Sequence, residues 1–272
     1  MENCRFTIII PNYNNAEWLK RTFESIWLQS YRNYDVIFVD DCSTDESAYT
    51  AHEWLGRMIP TRQGFDNECC VVELSKKKRW NGGSRNVAME NELFGKGDYA
   101  IFMDSDDWFS SGDCLEEIAK ALEANNYPDL LRLSYYTLIG DNLSLCDLSG
   151  QQTVERIVAD QNVACWTKCV KTEKLVSFPE NTLMEDVVQH IKQMDNVETV
   201  ASINKGIIVW NRNNNNSCSR DETLQNGKWK SSLYRYYADL LDLEVKNPAC
   251  QAELERRRAV ALDNIKNDRF VQ

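Results

Sequence analysis

The chain has 272 residues, 43% of them hydrophobic and 27% charged, and a formal net charge of −11. That length allows one large domain or two small ones around a sizeable core, and the acidic balance argues against broad binding to nucleic acid or anionic membrane. No apolar run approaches a membrane span, and the opening MENCRFTIIIPNYNN lacks a basic region followed by a long apolar one, so a soluble, cytoplasmic protein is expected.

In chain order, β-branched and apolar residues predict a strand over 5–10 that breaks at Pro11. Trp18, Leu19, Phe23, Ile26 and Trp27 recur at helical spacing and predict a helix over 16–29. Residues 34–39 read as a second strand ending in Asp40-Asp41, and 45–58 as a helix with Ser43 or Thr44 near its cap. A short strand over 70–74, a helix over 83–94 and a strand over 99–103 follow. This alternation implies an α/β fold, a mainly parallel sheet with helices on both faces. In such sheets ligands bind beyond the carboxyl ends of the strands. The polar segments 11–15, 40–45 and 104–107 all follow strands, so they are expected to converge on one crevice.

Further along, the pattern predicts a helix over 115–124, a strand over 130–138, a helix over 151–160, extended segments over 163–170 and 200–209, and a helix over 185–194. Residues 211–219 form a polar loop of low complexity. Two long helices, over 226–245 and 248–268, close the chain. Ten cysteines include no Cys-x-x-Cys pair, and His occurs twice, which fits free thiols better than a zinc site or a disulfide framework.

The stretch Tyr99–Trp108 carries the most chemistry. An apolar strand runs directly into Asp104, Asp106 and Asp107. Clustered acids at a strand end must be solvated or must hold a cation. An Asp-x-Asp pair offers hard oxygen ligands to Mg²⁺ or Mn²⁺, and these ions bind nucleotide phosphates. Taken alone, the same residues also describe an acidic turn.

Together, TIIIPNYNN, VDDCSTDES, NGGSRNVA and FMDSDDWF occur in the order and context of the family 2 inverting glycosyltransferases, and the chain resembles that family over about residues 5–220. CWTKCVKTEKL, FPENTLMEDVV and VWNRNNNNSCS resemble segments of its bacterial polysaccharide-type members. The resemblance implies a GT-A fold over 1–220, followed by a helical extension over 221–272. It implies a nucleoside-diphosphate sugar donor, a UDP-sugar favoured, a Mn²⁺ or Mg²⁺ cofactor, and a saccharide or other hydroxyl acceptor. The acidic net charge disfavours nucleic acid as a partner. Two other readings stand beside this one: transfer to a modified DNA base, and a non-catalytic carbohydrate-binding protein on the same fold.

The resemblance also implies roles for residues. Pro11, Tyr13 and Asn14 would line the nucleotide base, with Tyr13 offering a flat apolar face. Asp41 would accept the N–H of a uracil-type base, with Asp40 as the alternative. Cys42 stands where the family usually has Gly. Gly82-Gly83 ahead of a helix would offer backbone N–H groups to phosphate. Arg85, followed by Asn86, would supply a guanidinium fork for phosphate or for the acid cluster. Asp104, beside Ser105, would face the ribose or the hydrated metal, Asp106 would be the direct metal ligand, and Asp107 would orient its neighbours. Asp186 would be the base that takes the acceptor proton, with Glu185 as runner-up. Lys168 would reach the diphosphate, Trp166 would form an acceptor platform, and Arg212 and Ser217 would sit in a loop over the donor near Trp210. His190, one turn after Asp186, reads as a helix-surface residue or as a third metal ligand.

Overall fold

A computed structural model of the chain describes residues 4–58, 68–77, 80–160, 162–182, 184–215 and 228–266. Its first half is a parallel sheet. Strands β1 (Phe6–Asn12), β2 (Tyr34–Asp40), β3 (Cys69–Glu73) and β4 (Tyr99–Phe102) lie in the order β3-β2-β1-β4. Every residue of β1 and β2 is buried, so both read as near-continuous apolar runs. Helices α1 (Ala16–Trp27), α2 (Ser47–Met58) and α3 (Trp80–Met89) connect them. Leu19, Phe23 and Ile26 of α1, one face at helical spacing, pack into the core beside Ile10 and Phe38.

Past β4 the sheet becomes mixed. Short β5 (Trp108–Phe109) precedes α4 (Cys114–Ala124), β6 (Leu130–Ile139) and β7 (Asn142–Cys146). Next come α5 (Val154–Ala159), β8 (Lys168–Lys171), α6 (Glu185–Asp195) and β9 (Val200–Asn211). The sheet continues β4-β8-β6-β9-β5, with β7 hanging on β6. β8 runs antiparallel to both β4 and β6, whereas β6 and β9 are parallel. The parallel expectation therefore holds for the first four strands, and β8 reverses it because it enters from the carboxyl edge of β4.

The differences from expectation are local. The stretch predicted as extended over 163–170 opens with a 3-10 turn, Cys165–Thr167, before β8. Helix α3 begins at Trp80, not at residue 83, so the glycine pair lies inside its first turn. β5 and β7 were not anticipated. β5 is two buried aromatic residues, too short to display a period, and β7 is almost wholly exposed, so it carries no buried apolar pattern.

Helices α7 (Lys228–Asp242) and α8 (Pro248–Lys266) complete a second core. Leu233, Tyr236, Leu240 and Leu254 pack there with Ile157 of α5, Val187 and Ile191 of α6, and Leu130 of β6. The segment expected as an extension thus shares its core with elements from residues 130–195.

Candidate active site

Parallel pairing sets Asn12 opposite Asp40 at the carboxyl edge of the sheet, and β4 ends at the same edge. The three loops expected to converge do so, through side-chain hydrogen bonds. Asn12 Nδ2 donates to Asp40 Oδ1 at 2.8 Å, and Asn14 N donates to Ser43 Oγ at 2.9 Å. Asn15 Nδ2 donates to Ser105 Oγ at 2.9 Å, tying the first loop to the Asp-x-Asp loop.

These contacts separate the two acids after β2. Asp40 accepts from Asn12, from the Ser43 hydroxyl at 2.6 Å and from Ser43 N at 2.9 Å, so it holds the loop together. Asp41, the second acid, is also buried, and its backbone N–H donates to Asn12 O at 2.8 Å. Cys42 adopts φ of 63°, the left-handed conformation that glycine meets at no steric cost, and its Sγ donates to Leu74 O. Tyr13 is 41% exposed, and Lys77 Nζ lies 3.2 Å from its ring centroid. Pro11, near the end of β1, is buried.

Arg85 is the hub of the acid cluster. It is 1% exposed. Its Nη2 donates to Asp104 Oδ1 at 2.8 Å, and its Nη1 to Glu185 Oε1 at 3.1 Å and Asp186 Oδ1 at 3.3 Å. One guanidinium therefore joins the end of β4 to the first turn of α6. Burial opposes its charge, and the carboxylates around it overcome that and hold it protonated.

The carboxylates are under-compensated. Among the described residues, Arg85 alone pairs with any of Asp104, Asp106, Asp107, Glu185 and Asp186. Burial, with Asp104 nearby, pushes Asp106 up to about 6. Burial and then Asp186 push Glu185 up to about 7. Burial raises Asp104 and Asp107 as well. Asp107 accepts from Asn211 N at 2.8 Å through Oδ1, while its buried Oδ2 has no hydrogen-bond partner among the described residues. Such a cluster favours protons or an added cation. The oxygen donor set suits Mg²⁺ or Mn²⁺, which commonly take one or two carboxylates plus substrate phosphates.

Other expected residues have different surroundings. Gly82 and Gly83 are buried within α3 and form no open loop. A Cβ on Gly82 would lie 2.9 Å from Pro179 O and 3.0 Å from Glu185 Cγ, so this glycine permits close approach of the acid-bearing segment. Asn86 exchanges hydrogen bonds of 2.9 Å with the backbone of Phe178. Lys168 is buried, and its Nζ donates to the carbonyls of Val163 and Ala164 at 2.8 and 2.9 Å. Burial, then Arg132, lowers its pKa to about 7. Trp166 is buried in an aromatic cluster with Tyr135 and Trp210, at centroid distances of 4.8 and 5.8 Å. Trp210 is half-buried, and the Arg212 guanidinium stacks on it at 4.6 Å. Ser217 lies outside the described residues. His190 is not on the helix surface. It is 1% exposed, and burial, with Lys168 and Arg132 nearby, pushes its pKa well down. Among the described residues no three His, Cys, Asp or Glu side chains group as metal ligands.

Two contacts escaped sequence reasoning. Asn214 donates to Asp106 Oδ2 at 2.7 Å from within a run of asparagines that reads as featureless loop. Lys77 belongs to the basic run KKKR, whose position over Tyr13 has no local signal. A cavity of about 690 Å³ opens at the opposite edge of the sheet, beside Cys4, Asp98, Tyr99 and Lys171, and includes none of these site residues.

Known proteins resemble this chain in sequence and in fold. Residues 7–137 match the family described as Glycosyl transferase family 2. Glycosyltransferase GlyA of Streptococcus pneumoniae is 25% identical over 249 residues, covering 84% of this chain and 33% of that protein. The amylovoran biosynthesis glycosyltransferase AmsB of Erwinia amylovora is 33% identical over 107 residues, 39% of this chain and 32% of that protein. The chain thus matches about a third of the length of either relative. Among solved structures, S. aureus TarS 1-349 in complex with UDP-GlcNAc superposes with a TM-score of 0.70 at 19% identity, covering 95% of this chain and 71% of that one. The mannosyltransferase PcManGT of Pyrobaculum calidifontis, in complex with GDP-Man and Mn²⁺, gives 0.65 at 18% identity over 96% of this chain and 70% of that one. Through residues 7–137 the chain belongs to glycosyl transferase family 2, and its fold is GT-A.

Proposed function

We propose that this protein transfers a sugar from a nucleoside-diphosphate sugar, with a UDP-sugar favoured, to an acceptor hydroxyl on a saccharide, with inversion and with a divalent cation. The observation that carries this reading is the Arg85 bridge. It sets two acids of different duty, Asp104 and Asp186, on one buried guanidinium. Support for UDP comes from Asp41, an acceptor matched to uracil N3–H, and from the UDP and UDP-GlcNAc bound to TarS. The PcManGT complex makes a guanosine donor the comparison to exclude.

A Mn²⁺ or Mg²⁺ ion held by Asp106 and Asp104 would stabilise the charge that builds on the departing diphosphate. The chain's own residues do the rest. Tyr13 offers its ring to the base, and Asp41 accepts the base N–H. Arg212, stacked on Trp210, presents a cation to the diphosphate. Asp186 takes the proton of the attacking hydroxyl. Its side chain is 25% exposed against 14% for Glu185, whose Cγ abuts Gly82, so Asp186 is the more open to an acceptor. Arg85 orients both acids. Attack from the Asp186 side in one displacement inverts the anomeric carbon and forms no covalent sugar intermediate. Cell-surface saccharide synthesis in the cytoplasm is the setting we favour.

Two measurements test this. Asp106→Asn is expected to lose Mn²⁺-dependent UDP binding in calorimetry, while Asp186→Asn keeps it and loses transfer by roughly 10²-fold or more, as for a lost general base. An α-linked donor is expected to give a β-linked product by anomeric proton coupling in NMR. A retained configuration, or UDP binding unchanged by chelator, refutes the reading.

A further inference from the structure

The chain leaving β9 is hydrogen-bonded at every residue from Asn211 to Asn214, and Asn211 and Asn214 reach the acid cluster. Asn211 N donates to Asp107 Oδ1 at 2.8 Å. Arg212 N donates to Leu138 O at 2.9 Å. Asn213 grips the tip of the β6–β7 hairpin from both sides, accepting from Gly140 N at 2.7 Å and donating to Gly140 O at 2.9 Å. Asn214, 2% exposed, donates through Nδ2 to Asp106 Oδ2 at 2.7 Å and to Asn15 Oδ1 at 3.2 Å. Asn15 in turn donates to Ser105 Oγ.

We propose that Asn214 is a positioning residue for the donor's cation, fixing the Asp106 carboxylate for it, and that the Asn213–Gly140 clasp braces Asn214 in place. The inference rests on the reading of Asp106 as a cation ligand. Its chemical basis is the contrast between the two acids of the Asp-x-Asp pair. Asp104 is held by a guanidinium, a positive charge set directly against it. Asp106 is held by a neutral carboxamide, which fixes its direction and leaves its charge available. A Lys or Arg in place of Asn214 would compete with the cation, and an apolar residue would leave the carboxylate loose. The brace explains how a loop keeps this geometry: the hairpin tip supplies two backbone groups to one asparagine side chain.

The test uses the full chain with Mn²⁺ and UDP. Calorimetry on Asn214→Ala is expected to show Mn²⁺-dependent UDP binding weakened about tenfold or more, the size of a lost hydrogen bond to a charged group. Asn213→Ala, which touches neither acid, is expected to weaken the same binding by a smaller factor, about two- to fivefold. Asn214→Asp sets a second carboxylate against Asp106, so Mn²⁺ alone should raise its melting temperature by more than it raises that of the wild type. This variant and Asn213→Ala decide the matter if Asn214→Ala fails to fold. Wild-type affinity in a folded Asn214→Ala, or equal Mn²⁺ increments in Asn214→Asp and wild type, overturns the inference while leaving the transferase reading intact. A wild type that binds UDP no better with Mn²⁺ than without removes the reading of Asp106 and this inference together.

Discussion

Arg85 and Glu185 show how burial sets chemistry one residue at a time. Glu185 is pushed up to about 7 by burial and by Asp186, even with Arg85 at 3.1 Å. A carboxyl with an ordinary value of 4.5 that titrates at about 7 in the fold binds its proton more tightly folded than unfolded. Its contribution to stability is therefore complete below about 4.5 and is lost as pH rises through about 7. Glu185→Gln removes this dependence. Measured by urea denaturation without divalent ions, the variant should match or trail the wild type near pH 4.5. It should gain on the wild type steadily toward pH 8, by on the order of 2–3 kcal/mol at about 1.4 kcal/mol per pKa unit. A stability difference constant across that range contradicts the assignment. Asp106, raised to about 6, follows the same sign, but it is present in both proteins and leaves the comparison unchanged.

Among the elements, α3 is where local and tertiary rules disagree. The sequence TrpAsnGlyGly reads as a loop because glycine is the strongest local punctuator, and the helix was expected to begin at residue 83. The structure starts it at Trp80 and uses Gly82 for close approach to Pro179 and Glu185. No local pattern carries that information, since the partners lie about a hundred positions on. The strand ends were legible for the opposite reason: Ile8–Ile10, Val36–Val39 and Ile101–Phe102 are apolar on both faces and run directly into polar loops. The same blindness hid the surroundings of Lys168 and Asn86, whose partners are backbone carbonyls and amides rather than complementary side chains. Gly82→Ala separates the two rules by sign. Helix propensity alone would stabilise by about 1 kcal/mol. The clash, with a backbone oxygen at 2.9 Å, should instead destabilise by about 1–3 kcal/mol. Displacement of Glu185 should also cut transfer more than it weakens Mn²⁺–UDP binding. A more stable, fully active Gly82→Ala would show that α3 and the Pro179 segment are not held this close.

At the scale of the whole molecule, the first sheet half follows from alternation of apolar strands and helices, whereas the second half depends on long-range pairing that no window of sequence displays. Asn214 meets Asp106 across 108 positions, and α8 meets α5 and α6 through a core that only assembles once both are present. That core bears on the chemistry because α6 carries Glu185 and Asp186 at its first turn while burying Val187, Val188 and Ile191 against it. A division into 1–220 and 221–272 would make the last helices dispensable to the fold, but shared burial predicts one cooperative unit. Leu254 is fully buried on α8 in that core. Leu254→Ala should cost about 2–5 kcal/mol, the usual range for such a truncation. The loss should appear in the whole molecule at once. In a Trp229→Phe background every remaining tryptophan lies at or before residue 210, so fluorescence reports on the first part alone, while far-UV circular dichroism weighs all helices. Coincident transitions by the two probes, both shifted by Leu254→Ala, are expected of a single unit. An early loss of helical signal with the tryptophan transition unmoved would instead make 221–272 a separate unit, and would free α6 and its two acids from any dependence on the C-terminal helices.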